Sequence, residues 1–203
     1  PNYMYKVLMD YAEARGTVVK NPDGHVTKYI PNNPRLITLI IVDHIGLITP
    51  NAQDGGNLKK AIDRASKTLI QFRNLFGFSP VVVSQFNRAI ESHDRMKGSN
   101  EPKLSDLKDS GGPSEDANTV IALYYPYRYG KQEHNGYDIT ILERYYRSLH
   151  LLKNRDGPDS LVLGLLFMGQ NGFFRELPHP SKIVTGEVSY DTIMGSINQE
   201  VKT

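Results

Sequence analysis

Two unbroken apolar runs, LITLIIVD at residues 36–43 and SPVVVSQ at 79–85, flank a segment of helical periodicity. Within it Leu58, Ile62, Ala65, Leu69, Phe72 and Phe76 recur at steps of three and four, and Gly77 follows as a C-terminal stop. Lys59, Lys60, Asp63, Arg64 and Lys67 fall on the other side and are expected to face solvent. An apolar strand without polar alternation is the pattern of a parallel sheet covered on both faces. Strand, helix, strand is then a β–α–β unit, and ligands of such sheets bind beyond the carboxyl ends of the strands. The residues just past each strand therefore carry the functional question.

The remaining pattern is coarser. Residues 3–15 read as a helix with Met4, Leu8 and Tyr11 on one face and Gly16 as its stop, and 17–35 as a turn-rich excursion around Pro-Asp-Gly. TVIALYY (119–125) and SLHLLKNRDGP (148–158) are a third and fourth strand; LVLGLLFM and GFFREL look like a closing antiparallel pair at one edge. Residues 91–118 are hydrophilic with short helix signals, and one short helix is expected near 191–200.

Composition narrows the class without choosing it. A chain of 203 residues, 39% hydrophobic and 23% charged, has room for one three-layer domain. A net charge of +2 is too small to point to a polyanion by itself. With no cysteine, disulfides and thiolate metal sites are excluded. No apolar run approaches the ~20 residues of a membrane span. The N-terminus, PNYMYKVLMDYAEARG, is interrupted by acids and is not a signal peptide; lacking an initiator Met, it is expected to belong to a fragment or processed chain.

Asp43 ends its strand as the acid of a Walker B pattern does, where a carboxylate holds water on Mg²⁺; an Asp that merely begins a turn fits equally well. Gln85, at the same end of the next strand, can hydrogen-bond a phosphate oxygen or satisfy loop backbone. Lys153 and Arg155, two apart on a strand, share a face and ask for an anion, or else serve as edge-strand charges against aggregation. KLSDLKDSGGPSEDAN, with Gly111 and Gly112 freeing backbone amides, can track a nucleic-acid backbone or be a surface loop. GLLFMG followed by Gln170 lacks the lysine of a phosphate loop. The six histidines show no ligand spacing, and neither G-x-S-x-G nor a glycosidase acid pair is present.

Taken in order, LIIVDHIGLI, VVVSQFNRAIE, LSDLKDSGGPSEDANTVIALYY and LLKNRDGP resemble the C-terminal, RecA-like ATPase domain of DnaB-type replicative helicases over about residues 36–177. That family runs as an apolar strand with D-Y-x-Q-L, then L-S-Q-L-N-R, then S-D-L-R-E-S-G-x-I-E-Q-D-A-D, then K-Q-R-N-G-P. The resemblance implies an α/β, RecA-like three-layer fold with a mostly parallel central sheet and an antiparallel edge, incomplete at its N-terminal side. Residues 1–180 would be the C-terminal portion of the ATPase domain and 181–203 a tail. It implies that Asp43 holds Mg²⁺ through water, and that Gln85 couples the γ-phosphate of ATP to the DNA-binding loops. Lys108, Asp109 and Gly111 would hold single-stranded DNA, and Lys153 and Arg155 would reach the neighbouring subunit's γ-phosphate. The implied parent is an ATP-dependent 5′-to-3′ helicase assembled as a hexameric ring, with primase or a loader as further partners. Its place is the cytoplasm of a bacterial cell or phage-infected host, with no membrane.

Departures from the pattern matter. His44 and Gly46 replace the family's Tyr and Gln, Lys108-Asp109 replaces Arg-Glu, and Ser114-Glu115 stands where Glu-Gln is usual, as in a divergent, phage-borne member. The phosphate loop and the catalytic glutamate after it do not occur in these 203 residues, so the chain alone is expected to be inactive. Two other readings stand beside this one. One is a non-catalytic RecA-like module that binds DNA or a partner without a phosphate loop. The other is a metal-dependent nuclease pairing Asp43 with Asp106 or Asp109.

Overall fold

The computed structural model describes residues 2–107 and 111–200. The chain divides into two compact units, Pro1–Asn87 with Ser105–Ala117, and Arg88–Leu104 with Asn118–Thr203. In chain order the first elements are α1 (Asn2–Arg15), β1 (Gly16–Lys20), β2 (Val26–Pro31) and β3 (Leu39–Val42). They are followed by α2 (Leu58–Phe76), β4 (Ser79–Val82), α3 (His93–Lys97) and α4 (Gly111–Asp116). Next come β5 (Thr119–Tyr124), β6 (Glu133–His134), β7 (Tyr137–Asp138) and α5 (Ile139–Leu142). The chain closes with β8 (Tyr146–Asn154), β9 (Leu161–Met168), β10 (Phe173–Glu176), α6 (Pro180–Val184) and α7 (Tyr190–Glu200).

In the first unit α2 is the organising element. Asn57 caps its start by accepting from Lys60 N at 3.0 Å, and Gly77 ends it in the left-handed region at φ 69°. Its apolar stripe is buried, and Phe72 and Phe76 stack with centroids 4.6 Å apart. Met9 and Ala12 of α1 and Phe78 complete that cluster, and Val18, Val26 and Tyr29 of the β1–β2 hairpin pack against it. The excursion at 17–35 is thus a hairpin roofing the aromatic core. Gly16 does not stop α1 as a left-handed cap; it opens β1, where an added Cβ would lie 2.5 Å from Ile30 O. Close approach to β2, not turn geometry, is what requires glycine there.

β3 and β4 pair in parallel, Leu39 opposite Ser79 through Val42 opposite Val82, with α2 as the crossover. The expected β–α–β unit is present, but coverage is one-sided. Ile40 packs against the α1–α2 core, whereas Leu39, Ile41 and Val81 are 54%, 65% and 47% exposed.

The second unit carries a sheet in the order β10-β9-β8-β5, antiparallel throughout. The expectation of a mostly parallel sheet is corrected here: among the described residues β3–β4 is the parallel pair, and every other pair is antiparallel. Connection length explains it, since a parallel return needs a crossover of a dozen or more residues and β8, β9 and β10 are joined by short turns. One face of this sheet is buried by α5 and α7, with Ile139, Leu142, Tyr146, Leu166, Ile193 and Ile197 forming the core. The short helix expected near 191–200 is therefore a core element. Beside it runs a polar seam: His134 Nδ1 meets the Tyr146 hydroxyl at 2.9 Å, and Tyr124 donates to Asn100 Oδ1 at 2.6 Å. Ser148 Oγ meets His150 Nε2 at 2.9 Å. Burial pushes the His134 imidazole down to about 4, against the smaller opposing pull of Glu101, and lowers His150 as well.

Candidate functional site

Beyond the ends of β3 and β4 the ladder runs on: Val83 N donates to Val42 O at 2.9 Å and Ile45 N to Val83 O at 3.0 Å. Asp43 sits in that step, exposed at the carboxyl end of the parallel pair, and its peptide bond to His44 is cis. Gln85 leaves the same end of β4 and is also exposed. Its Nε2 lies 3.3 Å from His44 Nε2, a hydrogen bond when the imidazole carries its proton on Nδ1. The structure thus brings Asp43 and Gln85 to one edge of one sheet and joins them through His44. Sequence reading left His44 without a role, because its contact is to a strand neighbour 41 residues away.

Among the described residues no group of three His, Asp or Glu side chains could hold a metal ion. One exposed carboxylate beside a carboxamide is a donor set for an ion that keeps most of its water, as Mg²⁺ does. Asp106, the second acid of the nuclease reading, is buried at 4% exposure, and its carbonyl accepts from Asn87 N at 2.7 Å. Asp109 lies outside the described residues, as does Lys108.

The segment containing them is defined by its two ends. Before it, Phe86 and Leu107 form an antiparallel bridge, so the residue after Gln85 pairs with the residue before Lys108. After it, Gly111 opens α4, which packs on α2. Ser66 Oγ donates to Asp116 Oδ2 at 2.6 Å, and Arg73 NH1 reaches Asp116 O at 3.3 Å. The expected solvated face of α2 is corrected accordingly. Lys59, Lys60 and Lys67 are exposed, but Arg64 is half-buried and grips Asp54 through Nε at 3.0 Å and NH2 at 2.6 Å. A backbone hydrogen bond from Asn51, with Arg64 assisting, holds the Asp54 carboxyl below its usual range.

Lys153 and Arg155 belong to the other unit and stand at the end of β8. Lys153 pairs with Val120, and Leu152 is bulged out between that pair and Leu151–Ile121. The strand ends at Asn154, so Arg155 is the first residue past it, held by its N–H to Asn118 O at 3.0 Å. Its NH1 also lies 3.5 Å from Asn118 Oδ1. Lys153 is half-buried and Arg155 exposed.

A parallel β–α–β unit ending in an acid and an amide, followed in the chain by antiparallel strands, defines an α/β domain of the RecA-like kind. A solved structure of a helicase-type ATPase domain matches with a TM-score of 0.62 over 87% of this chain and 51% of that chain. At 21% identity, that likeness establishes the fold. A family model, the DnaB-like helicase C terminal domain, matches residues 24–176, and the chain belongs to that family. Its relatives include the probable replicative DNA helicase of Trieres chinensis, 27% identical over 60% of this chain and 25% of the relative. Replicative DNA helicase DnaB of Geobacillus stearothermophilus is 25% identical over 61% of this chain and 25% of the relative. Replicative DNA helicase DnaB of Mycoplasma genitalium is 27% identical over 76% and 31%. The chain therefore spans about a quarter to a third of the length of these curated relatives.

Proposed function

We propose that the chain is the C-terminal portion of the ATPase domain of a hexameric, ATP-dependent replicative helicase that moves 5′ to 3′ on single-stranded DNA and opens duplex at the fork. Residues 1–180 belong to that domain and 181–203 to its tail. One observation carries the reading. Asp43 and Gln85 issue from the same end of one parallel pair, and the residue after Gln85 bridges the residue before Lys108. A shift in Gln85 then has a backbone route into the segment that would meet DNA.

In this reading Asp43 holds Mg²⁺ through water, and the bound ion neutralises phosphate charge. Gln85 senses the γ-phosphate of ATP, with His44 holding its carboxamide. Lys108, Asp109 and Gly111 meet the DNA backbone. Lys153 and Arg155 serve the nucleotide of the adjacent subunit, which requires a ring. Primase or a loader completes the assembly, in the cytoplasm of a bacterial cell or phage-infected host. The uncovered apolar faces of Leu39, Ile41 and Val81 support a further layer from a longer protein, where the phosphate loop would reside.

The test has two parts. The coding sequence upstream of Pro1 is expected to contain a strand followed by G-x-x-x-x-G-K-[ST]. ATP turnover is expected from that longer protein and abolished by Asp43→Ala, while the 203-residue chain alone turns over none. Turnover by this chain at the rate of an intact helicase overturns the proposal.

A further inference from the structure

The segment 108–111 is flanked by α4, and the contact beneath α4 is unusual. Asp63 of α2 is half-buried, and its Oδ1 has no hydrogen-bond partner among the described residues. That oxygen faces Gly112: a Cβ added there would lie 2.5 Å from Asp63 Oδ1 and 3.3 Å from Asp63 Cγ. One helical turn further along α4, Asp116 is clasped by Ser66 and Arg73 of the same α2 face. Leaving a buried carboxylate oxygen unpaired is costly, and so is glycine inside a helix. Both costs fall at one contact, directly after the proposed DNA-binding residues.

We propose that Asp63 is a positioning residue for the DNA-binding segment: its carboxylate seats the bare backbone of Gly112, and the Ser66–Asp116 bond fixes α4 one turn on. The segment is then held at both ends, by the Phe86–Leu107 bridge beside Gln85 and by α2 behind Gly112. α2 is also the crossover that leads from β3, which carries Asp43 at its tip, to β4. The helix that builds the parallel pair thereby sets where the DNA-binding residues stand. This inference rests on the assignment of residues 108–111 to DNA.

The experiment uses the full 203-residue chain, fluorescein-labelled oligo-dT at low salt, and amide hydrogen exchange over residues 111–117. Gly112→Ala is expected to weaken binding about tenfold and to speed exchange. Asp63→Ala combined with Gly112→Ala should recover at least half of the lost affinity, a rescue that general destabilisation would not give. Ser66→Ala, which removes only a hydroxyl, should speed exchange at 113–117 and weaken binding severalfold in a chain that still folds. Lys108→Ala should weaken binding without changing exchange at 111–117. If Lys108→Ala loses binding while Gly112→Ala and Ser66→Ala bind as the parent does, the positioning role is overturned. A double variant no better than Gly112→Ala overturns it too. If the parent chain does not bind oligo-dT at all, the DNA assignment fails, and the inference built on it falls with it.

Discussion

His44 converts two separate strand tips into one connected group. Its neighbour Asp43 carries the charge, its partner Gln85 carries the amide, and the 3.3 Å contact between His44 and Gln85 fixes the amide's orientation. A side-chain hydrogen bond of this kind contributes about 1 kcal/mol, or roughly fivefold in rate where it acts only in the transition state. His44→Ala in the longer helicase is therefore expected to lower DNA-stimulated ATP turnover about fivefold with KM for ATP near that of the parent. Equal turnover would dispose of the link. His134 makes a different prediction. Its imidazole stays neutral in the folded protein down to about pH 4 because burial opposes its charge. In the unfolded chain it protonates near its ordinary value of about 6.5. Between those values the unfolded state binds the extra proton, so stability falls as pH drops from about 6.5 to 4, by about 3 kcal/mol at most from this residue. His150, also lowered by burial, adds in the same direction. Urea unfolding at pH 7 and pH 4.5 should show the loss, and His134→Gln should reduce it.

At the scale of elements, α2 carries most of the first unit. Phe72 is fully buried and touches Tyr5, Phe76 and Phe78 through ring contacts. Phe72→Ala should cost roughly 3–5 kcal/mol, and Gly77→Ala, at a left-handed φ, about 1 kcal/mol, both measured by denaturant unfolding. This helix was fully legible in the sequence, cap to cap, because periodicity, Asn57 and Gly77 agree. β3 and β4 were legible as strands, and their parallel pairing followed from the helix between them. Coverage was not legible: the continuous apolar run reports what a strand is built to bury, and Leu39, Ile41 and Val81 stay exposed in this chain. The solvated reading of Asp63 and Arg64 failed for a related reason. Helical periodicity separates apolar from polar faces, but it does not say that a polar face is free of other elements. The motif residues were legible from their place past the strands, whereas the long-range contacts of His44, Ser66 and Asp63 were not.

For the whole molecule, the two units differ in how far apart in sequence their partners lie. β8 and β9 are joined by a short turn, with Leu151 opposite Leu161, and β9 and β10 by a shorter one, with Met168 opposite Phe173. The parallel pair instead brings Leu39 to Ser79 across the whole of α2. Closing a long loop costs more chain entropy before any contact repays it, so pairings distant in sequence form more slowly. Refolding should therefore be staged, with the hairpins of 146–176 protected first and the strand bearing Asp43 last. Pulsed hydrogen exchange during refolding can read that order residue by residue, and simultaneous protection of 39–42 and 146–168 would refute it. Should the order hold, a chain emerging from the ribosome would keep Asp43 and Gln85 apart until α2 has formed, delaying any nucleotide-ready geometry until that crossover is complete.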